Sequence, residues 1–365
     1  MNLKNFFEGI IWQRYDKKYI GIILFPLFLI SLLYRSVVQT RCWLYSRGIF
    51  RAKKLPCKII SIGNISLGGS GKTPTTHYIA KLLKENGFKA AILSRGYKGR
   101  VNGKVNVVSE GDNILLSPRE AGDEPYMLAK KLSNVPVLTC KDRYQGGKYA
   151  VERFNSTVLI LDDGFQHISL KRDIDVLLLD SRIISKNNYL FPRGLLREPL
   201  ENLKRADVFL VTRAKSIDEQ RELTHTIKNI KKDAEFFFGY FQAKHLIDPS
   251  GAKKELDYLK GKRVLAFSGI ANPEYFASSL KELGAFVVEE LIFPDHHWYS
   301  STDHKKIEEI SGEINFVVTT EKDMVKLDNS FLNNVKIFAL SIELHLDKEE
   351  EFKDFLLRRI GNFST

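Results

Sequence analysis

Residues 58–83 read KIISIGNISLGGSGKTPTTHYIAKLL: an apolar strand, a glycine-rich turn, then a helical pattern that opens with Pro74. Strand, loop and helix in this order make the phosphate-binding unit of P-loop nucleotide-binding proteins. The loop residues are Ser66, Leu67, Gly68, Gly69, Ser70, Gly71, Lys72 and Thr73. Glycines let backbone N–H groups close around phosphate oxygens, Lys72 adds a positive charge at the β- and γ-phosphates, and the Thr73 hydroxyl is placed to ligate Mg²⁺. The general pattern G-x-x-x-x-G-K-[ST] asks for Gly at position 66. This chain has Ser66, with Gly68 and Gly69 supplying the flexibility. Pro74 suits a first helical turn, where its missing N–H costs nothing.

Outward from this unit, continuous apolar runs at 58–62, 90–93, 135–139, 157–161, 175–179 and 208–212 alternate with helical patterns. Runs of this kind are buried on both faces, so the fold expected is α/β: a P-loop NTPase-type parallel sheet with helices on both faces, plus a second, smaller α/β domain. The second domain rests on apolar runs at 263–267, 286–293, 316–319 and 335–340 and a helix over 273–283. An aromatic run at 236–241 followed by Asp248, Pro249, Ser250 and Gly251 places the boundary. The expected order is a membrane-associating segment 1–55, a P-loop domain 56–235, a linker 236–260, the smaller domain 261–345 and a C-terminal helix 346–365.

A Mg²⁺ partner belongs at the end of a nearby strand, and Asp162 and Asp163 close the run 158–161 as a Walker-B pair does. Asp180, which also ends an apolar run, competes with them. TTEKD at 319–323 lacks the residue that a guanine-specifying N/TKxD motif has between Lys and Asp, which favours ATP over GTP. Asp295, His296, His297 and His304 could be spaced for a metal, but such residues at a helix start more often cap it.

Charge narrows the partners. The chain carries 56 Lys and Arg against 44 Asp and Glu; residues 1–54 hold ten of the bases and two of the acids, a local +8 out of +12. A nucleic-acid binder spreads its cations over the folded surface, whereas these surround one apolar segment, so a membrane surface is favoured and no nucleic acid is expected. The segment 19–34 has no charge and is followed by Arg35, Arg41, Arg47, Arg51, Lys53 and Lys54 with Trp43 and Tyr45 among them. It lacks a signal-peptide cleavage site; the readings are a buried core helix, a helix lying in or dipping into one leaflet beside anionic headgroups, or, since it is short for a bilayer span, one lengthened by its aromatic and basic flanks. Three cysteines without CxxC spacing supply neither a disulfide framework nor a four-thiolate zinc site and point to a reducing cytoplasm.

The set GGSGKTP (68–74), SRGYKG (94–99), GDEPYMLA (122–129), DDGFQH (162–167), PRGLLREP (192–199), RADVFLVTR (205–213) and FPDHHWY (293–299) resembles the tetraacyldisaccharide 4′-kinase family. That family shares a Ser or Thr at the position of Ser66. The resemblance implies phosphoryl transfer from ATP, with Mg²⁺, to the 4′-hydroxyl of a tetraacylated glucosamine disaccharide 1-phosphate, giving lipid IVA in lipid A biosynthesis. It implies work at the cytoplasmic face of the inner membrane, with a lipid A disaccharide precursor and inner-membrane lipids as partners; no protein partner is inferred. It also implies that Asp123 is the base and His296 its partner, with His297 the alternative. Asp162 and Asp163 fall near Mg²⁺, and Arg143, Arg197 and Glu198 line the site. Two rivals remain: a membrane-targeted P-loop switch ATPase, which leaves GDEP and PDHH without a role, and a kinase of a soluble sugar or cofactor, which leaves the N-terminal segment unexplained.

Overall fold

The structure is a computed structural model describing residues 17–101, 103–180, 189–213, 220–312 and 314–361, with the backbone alone for 17–23. Contacts divide the chain into two discontinuous units: Met1–Lys72, Asp163–Tyr240 and Leu346–Thr365 form the first, Thr73–Asp162 and Phe241–His345 the second. The stretch read as a linker holds the strand Glu235–Ile247, within which the chain passes from the first unit to the second.

In the first unit the strands Lys58–Asn64, Ile174–Asp180, Val208–Thr212 and the start of Glu235–Ile247 lie side by side in that order, all parallel. Ile60 stands opposite Ile174, Val176 opposite Val208 and Leu210 opposite Phe237. Every residue of Ile174–Asp180 and Val208–Thr212 is buried, as strands covered on both faces require. Phe165, Leu177, Phe209, Val211 and Ile227 meet in the core below the phosphate loop's strand. The C-terminal helix Glu349–Ile360 closes this unit by setting Phe352 against Phe237, ring centroids 5.0 Å apart.

The second unit holds two strand groups. Val158–Asp162, Ala90–Ser94 and Val137–Thr139 run parallel in that order, with the short strand Asn106–Ser109 antiparallel at the edge. Phe286–Ile292, Arg263–Ser268, Phe316–Thr320 and Ile337–Leu346 form the other, again parallel in that order. The mostly parallel α/β architecture is therefore as expected. Asn106–Ser109 was not, because four residues without a long apolar run give no period to detect.

The N-terminal helix runs from Lys17 to Ser46 and carries Pro26 within it. No described helix is long and apolar enough to cross a membrane. A buried core helix is also ruled out for its described face: Phe25, Leu29, Ile30, Leu33 and Val37 are exposed, Leu33 by 70%. Polar contacts hold the helix to the rest of the first unit. The Tyr34 hydroxyl donates to the Arg197 carbonyl at 2.8 Å, and Arg35 pairs with Glu201 at 2.8 Å.

Candidate active site

The phosphate loop leaves its strand at Asn64. Gly68 and Gly71 take positive φ of 111° and 86°, backbone that side chains other than glycine's rarely adopt, and the helix Lys72–Glu85 begins directly behind them. Its free N–H groups and dipole favour an anion at this end. The PRGLLREP segment lies along the loop: Leu67 N–H donates to the Leu195 carbonyl at 2.7 Å and Arg197 N–H to the Ile65 carbonyl at 2.6 Å. Two motifs more than a hundred residues apart are thus one piece of structure.

Side chains gather on the same spot. Arg197 donates to both oxygens of Asp163, at 2.8 and 3.1 Å, and to Asn64 Oδ1 at 3.3 Å. Lys72 Nζ lies 3.4 Å from Asn64 Oδ1 and 3.9 Å from Asp163. Asn64 also donates to the Ser70 hydroxyl at 2.9 Å, which fixes the loop from within. The structure therefore brings Lys72, Asp163 and Arg197 together, two cations around one carboxylate. Asn64, which sequence reasoning passed over, joins them. Gly63 shows how close the packing is: a Cβ there would meet Phe165 Cβ at 2.5 Å.

Asp180 is engaged elsewhere, its carboxylate paired with Arg213, whose guanidinium also reaches the Gly69 carbonyl at 3.3 Å. That pairing gives Asp180 a structural task at the loop's outer side. Glu198 is buried and accepts from Arg205 at 2.8 Å and from Asn202 at 2.6 Å. It holds the turn that carries Arg197.

In the second unit Asp162 is buried at its strand end and accepts from the Thr76 hydroxyl at 3.0 Å. Thr73 is buried at the start of the same unit. Arg143 opens the helix Arg143–Phe154 and donates to the Cys140 carbonyl, while Asp142 caps that helix through the N–H groups of Tyr144 and Gln145.

The second cluster forms around Asp123, the first residue of the helix Asp123–Lys131. Gly122 before it has φ 92°, and a Cβ there would lie 2.7 Å from the Tyr97 carbonyl. Asp123 is buried, and its oxygens lie 2.8 and 3.0 Å from His296 Nδ1. His296 holds φ 58°, a left-handed conformation uncommon for a residue with a side chain, and its N–H donates to the Gly269 carbonyl at 3.1 Å. Burial would raise the Asp123 carboxyl, but the His296 hydrogen bond and the Lys322 and Lys326 ammonium groups outweigh it and hold it below the usual carboxylate range. Asp123 is a carboxylate near neutral pH.

His297 points away from this pair. Its Nε2 lies 3.1 Å from Asp303 Oδ2, and its ring stacks on Phe293 at 4.9 Å. His304 stacks on Phe331 at 4.5 Å. Asp303 accepts from the Ser300 N–H at 2.7 Å and closes a capping box at the start of the helix Ser301–Ser311.

Comparison with known proteins gives the class and then the family. The tetraacyldisaccharide-1-P 4′-kinase (LpxK) family profile matches residues 23–361. The tetraacyldisaccharide 4′-kinase of Syntrophus aciditrophicus is 43% identical over 338 residues, covering 90% of each chain, and that of Desulfatibacillum aliphaticivorans is 40% identical over 336 residues, covering 91% of each. A crystal structure of LpxK from Aquifex aeolicus in complex with ATP superposes with a TM-score of 0.77 at 36% identity, covering 93% of this chain and 100% of that one. A parallel α/β fold with a lysine-bearing phosphate loop and a carboxylate–imidazole pair defines a P-loop phosphotransferase. The chain belongs to the tetraacyldisaccharide 4′-kinase family and is a kinase of lipid A biosynthesis.

Proposed function

We propose that this kinase moves the γ-phosphoryl group of ATP to the 4′-hydroxyl of tetraacyldisaccharide 1-phosphate, with Asp123 taking the hydroxyl proton. The observation that carries the residue assignment is the buried contact of Asp123 with His296 at 2.8 Å. A sugar hydroxyl is a poor nucleophile near neutral pH and needs a positioned proton acceptor as well as relief of charge on the phosphoryl group. Asp123 supplies the acceptor, already ionised, and His296 holds its orientation. Residues Ser66 to Thr73 cradle the triphosphate through backbone N–H groups, with Lys72 at the β- and γ-phosphates. Arg197 adds a forked donor to phosphate oxygens, and Arg143 a second guanidinium.

Mg²⁺ fits the donors present. It is a hard cation that prefers carboxylate and hydroxyl oxygens over nitrogen or sulfur. Thr73, Asp162 and Asp163 would hold it. Bound there, the ion neutralises charge on the phosphates.

A substrate with four acyl chains stays in the bilayer, so the enzyme must come to it. The exposed face Phe25, Leu29, Leu33 and Val37 supports a helix lying in the cytoplasmic leaflet of the inner membrane. Arg41 on the same helix and Arg47 just after its end suit anionic headgroups.

The membrane-targeted switch ATPase is the weaker reading, because it gives no task to the GDEP and PDHH residues whose side chains meet. Incubating the purified chain with γ-labelled ATP and the lipid A disaccharide precursor separates the two. Label in a 4′-phosphorylated lipid is the expected result; phosphate release only with a protein partner overturns it.

A further inference from the structure

The segment Thr319–Lys326, which entered the sequence reading only as a failed guanine motif, surrounds the Asp123–His296 pair with two ammonium groups. Lys322 Nζ is nearly buried and lies 3.1 Å from Glu124 Oε1, 3.1 Å from Asp295 Oδ1 and 3.2 Å from His296 Nε2. An ammonium has three N–H donors and no acceptor, so the three contacts use it fully and His296 Nε2 can only accept. The opposite ring nitrogen, Nδ1, faces Asp123 at 2.8 Å. A carboxylate accepts only, so Nδ1 carries the ring's proton.

We infer that Lys322 is a positioning residue that fixes His296 as the neutral Nδ1–H tautomer, leaving Asp123 as the ionised proton acceptor. This deepens the phosphoryl-transfer reading above and rests on it for its catalytic meaning. With Nε2 turned to Lys322 and Nδ1 donating to Asp123, both ring nitrogens are committed. The incoming hydroxyl then has the Asp123 carboxylate as its acceptor.

The rest of the segment locks the arrangement. Lys326 Nζ is fully buried, 2.7 Å from Asp323 and 3.9 Å from Asp123 Oδ2, and so places a second cation on the far side of the carboxylate. Asp323 accepts from Gly269 N–H at 2.9 Å and from the Thr320 hydroxyl at 2.7 Å. The Gly269 carbonyl is the group that holds the left-handed His296 backbone. Other groups face the pair as well. Asp295 Oδ2 lies 3.8 Å from His296 Nε2, the Tyr97 ring 5.5 Å from the imidazole and Lys98 Nζ 3.4 Å from the His296 carbonyl. Lys322 is bonded to both Asp295 and the ring. Burial would lower the Lys322 ammonium, but Glu124, Asp295 and Asp123 outweigh it and raise it above the ordinary lysine value, so the donor is charged throughout the working range.

The test is nitrogen NMR on the full chain labelled with ¹⁵N-histidine, the His296 signals being identified by their loss in His296→Gln. The wild type should show a neutral ring with Nδ1 protonated and Nε2 bare near pH 7.5. Lys322→Met should lose that pattern through ring flipping or a second proton, and Lys322→Arg should keep it. In turnover, Lys322→Met should lower kcat by up to about 10²-fold, the low end of general acid–base effects, and leave KM for ATP unchanged. A wild-type imidazolium or Nε2–H tautomer overturns the inference even if the methionine variant fails to fold. So does an unchanged nitrogen pattern in a folded Lys322→Met protein. Because the tautomer is read without nucleotide or lipid, the expected pattern in a protein that phosphorylates no lipid would overturn the reaction assignment and support the role of Lys322.

Discussion

Nearly everything the phosphate loop offers comes from consecutive residues, glycines 68, 69 and 71 with Lys72, whereas the Asp123–His296 pair joins groups 173 positions apart. In the proposed reading the loop works through backbone N–H groups, which any chain with the right φ angles presents, so its chemistry is written in local spacing. The pair works through two side chains held by a left-handed histidine backbone, a glycine-bound helix start and two lysines, Lys326 buried and Lys322 nearly so. Contacts of that kind have no sequence period. A loop can be recognised from its own residues, while a buried acid–base pair needs the folded chain.

Substitutions can separate these regions. Lys72→Ala removes the charge proposed to face the β- and γ-phosphates and should lower kcat about 10²–10³-fold, the cost of losing one preorganised electrostatic donor, with thermal stability retained. Wild-type turnover by a folded variant would break the phosphate-cradle side of the comparison. His296→Ala should cost about 10²-fold in kcat and leave ATP affinity unchanged, since the imidazole touches the carboxylate. Weakened ATP binding with intact turnover would move His296 into the nucleotide site.

Smaller effects follow elsewhere. Leu33→Ser removes an exposed side chain worth about 1.5–3 kcal/mol when buried, so cosedimentation with anionic vesicles should fall about tenfold or more. Unchanged partitioning would mean that this face does not enter the lipid. The smallest effect concerns acid stability. The Asp123 carboxyl is held below its ordinary 3.8, so its ionised form stabilises the fold fully above that value, and the contribution is lost as pH falls through the lower folded value. Circular dichroism should therefore show the stability gap between wild type and Asp123→Asn shrinking only below about pH 4. A gap that closes above pH 5 would reverse the sign assigned to the Lys322 and Lys326 surroundings.

The parallel strands were legible because continuous Val, Leu and Ile runs such as Ile174–Asp180 admit few other burials. The aromatic run near 240 was visible too, and the strand of 13 residues to which it belongs ends just before Pro249 and Gly251. Spacing left Asp162 and Asp163 competing with Asp180, and the folded chain adds that Asp180 pairs with Arg213. Asp123, His296, Arg143 and Arg197 came from family resemblance, since nothing in local spacing singles them out. Asn64, Lys322 and Lys326 were missed because their roles depend on neighbours that only folding supplies. The TTEKDMVK stretch, with two lysines four apart beside an aspartate, was the available signal.

The central claim is that Asp123 accepts the proton of the sugar hydroxyl while the loop, separately, binds ATP. Calorimetry of ATP binding and single-turnover transfer to the lipid precursor, both on Asp123→Asn, test it most directly. Unchanged ATP affinity with transfer slowed about 10²–10⁴-fold is the predicted result. Lost ATP affinity, or transfer at the wild-type rate, would contradict it.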